Sequence, residues 1–251
     1  NFVGGIAGYV AADTVKFLYA GAVTGQIYGS GDAVGGYIGL NRSGNAAAGA
    51  ASIKTTAIIG RYCVGGVIGA NILDDTQSAA LGGMATANTL GTVRADGICG
   101  GVIGYVRCIT SASAKAVPGD AAAKLLPSVG TDKILTDSSA VTDSTSSLDY
   151  ENAQVKNTFT VRANAYAGGI LGASAKDTRL MLRYAVNSGE VSTSTANGTT
   201  LSGGAGFDAL LGAYGAQTLG AGAGNCAAVG GIVGVSGPHT AVRECANMGV
   251  I

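Results

Sequence analysis

The sequence predicts an all-β fold, a β-solenoid (parallel β-helix-like) of about seven ~30-residue repeats with one irregular insertion. Three observations predict it. A short apolar core bracketed by glycines recurs at a nearly constant interval. Glycine supplies 43 of 251 residues, far above the ordinary share of about 7%. The apolar segments are short and β-branched, and end on Gly, Asn, Asp or Ser, which favours strand and turn over helix.

The core reads Val3-Gly4-Gly5-Ile6-Ala7-Gly8, then Val34-Gly35-Gly36-Tyr37-Ile38-Gly39, then Val64-Gly65-Gly66-Val67-Ile68-Gly69. It returns at Cys99-Gly100-Gly101-Val102-Ile103-Gly104, at Ala167-Gly168-Gly169-Ile170-Leu171-Gly172 and at Val229-Gly230-Gly231-Ile232-Val233-Gly234. A degenerate copy, Phe207-Asp208-Ala209-Leu210-Leu211-Gly212, keeps the apolar pair and the last glycine. Successive starts differ by 31, 30, 35, 68, 40 and 22 residues, so 68 is one repeat plus an insertion, or two repeats of which one has decayed. Paired-helix repeats of similar period are disfavoured, because each interior glycine costs a helix about 1 kcal/mol. The Gly-Gly pair fits a sharp bend or a close backbone approach. Both apolar positions after it are large, so alternation alone does not say which points inward. Asn41 and Asn71 follow the core at one place in two repeats and read as turn residues.

A second element precedes the core: Gly21-Ala22-Val23, Gly91-Thr92-Val93, Gly189-Glu190-Val191 and Gly249-Val250-Ile251. The best pairwise match joins both elements, with Thr92-Val93-Arg94-Ala95-Asp96 and Thr160-Val161-Arg162-Ala163-Asn164 at equal distances before their Gly-Gly pairs. Residues 1–106 and 158–251 thus read as one continuous repeat domain. Residues 107–157 hold no core copy, but contain Pro118, Pro127, a possible short helix over 120–126 and a serine-rich polar stretch, and read as a surface insertion. That insertion, with Arg107, Lys115, Lys124, Lys133 and Tyr150, reads as a disordered or merely tolerated loop, with the main recognition surface or a packing surface for a neighbouring subunit as the alternative. The chain opens inside one repeat and stops at the start of another, so it reads as a segment of a longer protein with uncapped ends.

The cores, together with Tyr184-Ala185-Val186-Asn187-Ser188-Gly189-Glu190-Val191 and Glu244-Cys245-Ala246-Asn247-Met248-Gly249-Val250, resemble the GLUG-motif repeat family. Those repeats alternate an Asn-x-Gly-x-Val element with the Val-Gly-Gly-apolar-apolar-Gly element. Cys245 stands where the motif often has cysteine, whereas Ala185 does not match. The resemblance covers most of the chain outside 107–157. It implies a setting in bacterial surface proteins, such as adhesins and the non-catalytic regions of IgA-cleaving metallopeptidases. An extracellular or cell-surface location follows from the resemblance rather than from composition.

Charge excludes several classes. Lys and Arg number 15, equal to Asp and Glu, leaving no net field to gather nucleic acid. No apolar run approaches the ~20 residues of a spanning helix. Reactive constellations are absent from the sequence: no phosphate loop, no His-Glu-x-x-His, no nucleophile elbow. Gly220, Gly222 and Gly224 alternate but precede no helix pattern. The single histidine, His239, follows Ser236-Gly237-Pro238 and reads as an exposed turn residue. The five cysteines (Cys63, Cys99, Cys108, Cys226, Cys245) lack metal-ligand spacing and read as small buried hydrophobes, with a Cys226–Cys245 disulfide as the alternative. Asp74, Asp75, Asp137, Asp143, Asp149 and Glu151 read as solvated loop carboxylates, with calcium binding as the rival. Arg94 and Arg162 occupy equivalent positions and read as outward solubilising charge. Asn41-Arg42-Ser43 and Asn197-Gly198-Thr199 match the glycosylation sequon.

The expectation is therefore a non-catalytic structural or adhesive module of an extracellular surface protein or filament, with no catalytic, cofactor or metal residues. Its expected partners are further repeats or identical subunits, and a host or matrix protein or glycan. The rival readings are a carbohydrate-active β-helix enzyme and an ice-binding face. The latter needs a threonine ladder, whereas Thr193, Thr195, Thr199 and Thr200 cluster in one repeat.

Overall fold

A computed structural model describes residues 1–11, 14–16, 22–42, 45–47, 52–74, 85–86, 90–109, 155–175, 179–183, 185–194, 227–237 and 239–251. The described residues form strands and connections with no helix, and every strand pairing among them is parallel. Four sheets dominate, and each full repeat gives one strand to each in the same order. In the third repeat these are Ser52–Ile53 (sheet I), Ala57–Gly60 (sheet II), Cys63–Gly65 (sheet III) and Ile68–Asp74 (sheet IV). Sheets I, III and IV have six strands and sheet II has five. Short strands Thr14–Lys16 with Asn45–Ala47, and Arg179–Arg183 with His239–Arg243, extend some repeats beyond sheet IV. In the middle repeats the strands of sheets III and IV are buried on both faces and largely apolar, whereas those of sheet II alternate buried and outward residues.

The register repeats from copy to copy. Gly4, Gly35, Gly65, Gly100, Gly168 and Gly230 form one column of sheet III, each paired with the next. The second glycine of each pair makes the bend into sheet IV. A Cβ on Gly101 would overlap both the Gly169 carbonyl of the next repeat and the Asn157 side chain facing it from sheet I. Gly66 and Gly169 meet the same obstruction, from Thr86 and Asn187. The third glycine brings sheet IV onto the backbone of sheet III: a Cβ on Gly69 would press on Val34 N and O. Because the bend interrupts the alternation, both apolar positions point inward. Tyr37 and Ile38, Val67 and Ile68, Val102 and Ile103, and Ile170 and Leu171 are all buried in the main core. A second cluster, including Leu40, Tyr62, Cys63 and Tyr105, fills the other side of sheets III and IV.

Polar columns run through this interior. In sheet I, Val23, Ile53, Thr86, Asn157, Asn187 and Asn247 share one column. Thr86 Oγ1 donates to Asn157 Oδ1 at 2.8 Å, Asn157 Nδ2 to Asn187 Oδ1 at 2.7 Å, and Asn187 Nδ2 to Asn247 Oδ1 at 2.7 Å. Each asparagine also turns the corner into sheet II, its Nδ2 donating to the carbonyl two residues on: Phe159, Gly189 and Gly249. The Phe159 and Gly189 amides return the bond to Asn157 and Asn187 Oδ1. Both donors and both acceptor sites of Asn187 are therefore used, which is what a buried amide requires. A shorter ladder lies in sheet IV, where Asn41 Nδ2 donates to Asn71 Oδ1 at 2.8 Å and both residues are fully buried.

The structure revises several sequence expectations. Asn41 and Asn71 are strand residues in a buried ladder, not turns. Gly100 pairs directly with Gly168, so the interval of 68 is one repeat plus an excursion. Gly168 pairs directly with Gly230, so the Phe207 copy adds no strand to sheet III; 207–212 lie outside the described residues. Sheet III thus has six strands where about seven copies were expected. Strand Ile103–Ile109 runs past residue 106, and Val155–Asn157 already belongs to sheet I, so residues 107–109 and 155–157 are strand rather than insertion. The expected helix over 120–126 lies outside the described residues. The Gly21-Ala22-Val23 segment was aligned four residues out: Val23 is in sheet I, and Ile27 is the residue in line with Ile58 and Val93.

Two predictions follow from these contacts. Gly101→Ala should cost about 3 kcal/mol by overpacking. Gly25→Ala, at φ 94° with open space around its Cβ position, should cost only about 1 kcal/mol of backbone strain. Denaturant melts of both variants check the difference. Asn71 Nδ2 is buried without a hydrogen-bond partner, facing Val106 across the register. Val106→Asn should therefore change stability by under ~1 kcal/mol, whereas Val64→Asn, in an apolar column, should cost about 3 kcal/mol; equal losses would refute the ladder argument.

Candidate functional site

Sheet II is where side chains gather on the outer surface. In Thr92–Ala95 and Thr160–Ala163, Val93, Ala95, Val161 and Ala163 are buried, so alternation sends Arg94 and Arg162 outward. They pair in register on adjacent strands. The same outward column contains Tyr28, Ile59, Arg94, Arg162 and Ser192 in succession. Beside it, at the corner leading to sheet III, Ser194 Oγ donates to Asn164 Oδ1, and Asn164 Nδ2 donates to Asp96 Oδ1 at 3.5 Å. Across the column lies an open groove of about 550 Å³, with Thr92, Ser192 and Thr193 adding hydroxyls to its lining.

The charges are unevenly matched. Arg162 Nη2 lies 3.8 Å from Glu190 Oε1, both side chains about half exposed, a pair that contributes little stability. Among the described residues no carboxylate stands within ion-pair distance of Arg94. Asp96 is hydrogen-bonded to Asn164, and Glu190 pairs with Arg162. The two arginines are the charged side chains that line the groove, with Asp96 and Glu190 beside it.

The other sequence candidates are placed as follows. His239 begins strand His239–Arg243, pairing with Arg179, and is not a turn residue. Cys63 and Cys99 are buried, as expected of small hydrophobes. Burial pushes the Cys99 thiol far up, only partly offset by a hydrogen bond with the Arg162 backbone. Cys245 Sγ donates to the Leu182 carbonyl at 3.5 Å. Cys226 lies outside the described residues. Asp74 ends a strand of sheet IV, and Asp75, Asp137, Asp143, Asp149 and Glu151 lie outside the described residues, as do Gly220, Gly222, Gly224 and Asn197. Asn41 is fully buried, so the first glycosylation sequon is closed to modification in the folded chain. Among the described residues no three His, Cys, Asp or Glu side chains cluster to hold a metal. No helix among them is long and apolar enough to cross a membrane. Thr92 and Thr160 pair in register, but the column passes from Ala57 to Glu190, too short for an ice-binding ladder.

Sequence reasoning paired Arg94 with Arg162 but missed Tyr28, Asn164 and Ser194 as members of one surface. The aligned Asp96 and Asn164 of the two matched segments carried that signal. No family model, curated protein or solved structure matches the chain.

The raised Cys99 pKa has a measurable sign. The folded thiol stays protonated while the unfolded one ionises near pH ~8.5, so this group's contribution to stability is present below that pH and lost as pH rises. At pH ~9 the native chain should leave the Cys99 peptide unlabelled by iodoacetamide, and denaturant should expose it; native labelling detected by mass spectrometry would contradict the burial.

Proposed function

We propose that the chain is a β-solenoid segment acting as a non-catalytic structural or adhesive module of an extracellular surface protein or filament, of the GLUG-repeat kind. The observation that carries this is the unbroken register of six strands in sheet III, with glycine on glycine at each step. Such a stack commits its backbone groups and small residues to self-stacking, and each repeat buries its core only against its neighbours. The exposed apolar residues support the expected partners. Val102 and Ile170 are fully buried in the middle of the stack, whereas Ile6, their equivalent in the first repeat, is 54% exposed. Val229 and Met248 are likewise exposed in the last repeats. Identical subunits are the partners we propose for these faces.

A second reading, a carbohydrate-active β-helix enzyme, draws on the gathering of Arg94, Arg162, Asp96 and Glu190 on sheet II. Turnover of a glycan that vanished in Asp96→Asn would establish it.

The test displays the 251 residues on a bacterial surface, alone and with 118–148 replaced by a Gly-Ser linker. The parent is expected to promote attachment to host matrix or self-aggregation, with background hydrolysis of glycan, ester and peptide substrates. Ile6→Asp with Val229→Asp should weaken association in sedimentation while the β-type circular dichroism persists. A chain that neither attaches nor associates, or that turns over a substrate, would remove the proposal.

A further inference from the structure

Two arginines stacked on adjacent parallel strands repel each other, and like charges directly opposite across strands are destabilising. Nothing in the packing requires them, because Arg94 and Arg162 point away from the core. Among the described residues only Arg162 has a carboxylate within ion-pair distance, Glu190 at 3.8 Å and half exposed, while Asp96, two residues from Arg94, is hydrogen-bonded to Asn164. An anion lying across both guanidinium groups would turn the repulsion into two charge-assisted, forked hydrogen-bond sets.

We propose that the sheet II groove binds an acidic, uronic-acid-containing oligosaccharide lying along the stacking direction, its carboxylates on Arg94 and Arg162. The proposal deepens the adhesive reading by naming what is bound, and rests on it only to that extent. Three features favour a glycan over an acidic peptide. The lining is rich in side-chain hydroxyls and amide, with Thr92, Ser192 and Asn164 able to answer sugar hydroxyls in either sense. The two arginine strands, Thr92–Ala95 and Thr160–Ala163, are each paired on both sides, so beneath the arginines the face offers no backbone edge for a peptide to extend. Tyr28 and Ile59 continue the arginine column, and Tyr28 is 59% exposed, giving a ring platform for the apolar face of a sugar. From Tyr28 to Ser192 the column takes four strand steps of ~4.8 Å, roughly 19 Å in all, enough for several sugar rings. The volume of about 550 Å³ falls within the usual range for ligand sites.

The experiment is isothermal titration of the 251-residue chain with a galacturonate hexamer, and with maltohexaose as the neutral probe. Arg94→Gln/Arg162→Gln and the 118–148 linker variant are titrated alongside, each checked by circular dichroism and melting. The parent is expected to prefer galacturonate and to lose affinity at about 0.5 M salt, where screening is short-ranged. The double glutamine variant should bind at least about tenfold more weakly, having lost both forks, and the linker variant should bind as the parent does. Should the glutamine pair lower the melting temperature, Arg94→Ser/Arg162→Ser removes the charge in its place and should show the same loss; undiminished binding there overturns the inference. Equal binding of the two hexamers, binding of neither, or undiminished binding by the double glutamine variant overturns the inference. Loss in the linker variant alone also overturns it and moves recognition to the insertion. In each of these cases the adhesive reading stands or falls by the attachment experiment.

Discussion

Everything in this chain depends on how closely one repeat's backbone can lie upon the next. At the bend between sheets III and IV, each second glycine occupies space bounded by the carbonyl of the following repeat and by a side chain crossing from sheet I. A methyl group fits neither gap. Removing the side chain at that point lets parallel strands stay in register from Gly4 to Gly230. The apolar columns, the amide ladders and the outward arginine pair are then consequences of repetition. A residue placed once is placed again a strand spacing away.

That constraint divides the labour between repeats. The column facing the glycines is aliphatic in the early repeats, at Val23 and Ile53, and amide in the later ones, at Asn157, Asn187 and Asn247. Thr86 stands between them with a methyl and a hydroxyl, and its hydroxyl starts the hydrogen-bonded chain. Both solutions stand at the same place against the second glycine. The amide solution adds directional bonds that also fix the corner into sheet II, through Phe159, Gly189 and Gly249.

The glycine-bracketed core was legible from sequence because identical residue types recur there, and the strand, bend and strand follow from them. The second element was less legible. Gly21-Ala22-Val23 imitates the Gly-x-Val pattern by composition, yet register places Val23 in the asparagine column, four residues from the true equivalent Ile27. Short motifs of common residues carry too little information to fix register without the neighbouring strand. Asn41 and Asn71 misled for a related reason. Asparagine favours turns when alone, but stacked asparagines satisfy one another inside a sheet, and that partnership is visible only once the repeats are superposed. The groove on sheet II was half legible: the arginine pair is in the sequence, while its surroundings come from three other repeats.

In the sheet I ladder every link points the same way: Thr86 donates to Asn157, Asn157 to Asn187, and Asn187 to Asn247. The stack therefore has a grammar of insertion. A repeat duplicated after Thr86 meets a donor behind it and an acceptor ahead, and joins the chain without leaving an amide unmet. The same repeat placed before Thr86 would turn its Oδ1 back toward Ile53, whose side chain has nothing to donate. Growth of such a protein by in-frame duplication is permitted on one side of a single threonine and penalised on the other, so the direction in which the array lengthens is written into the chemistry of one column.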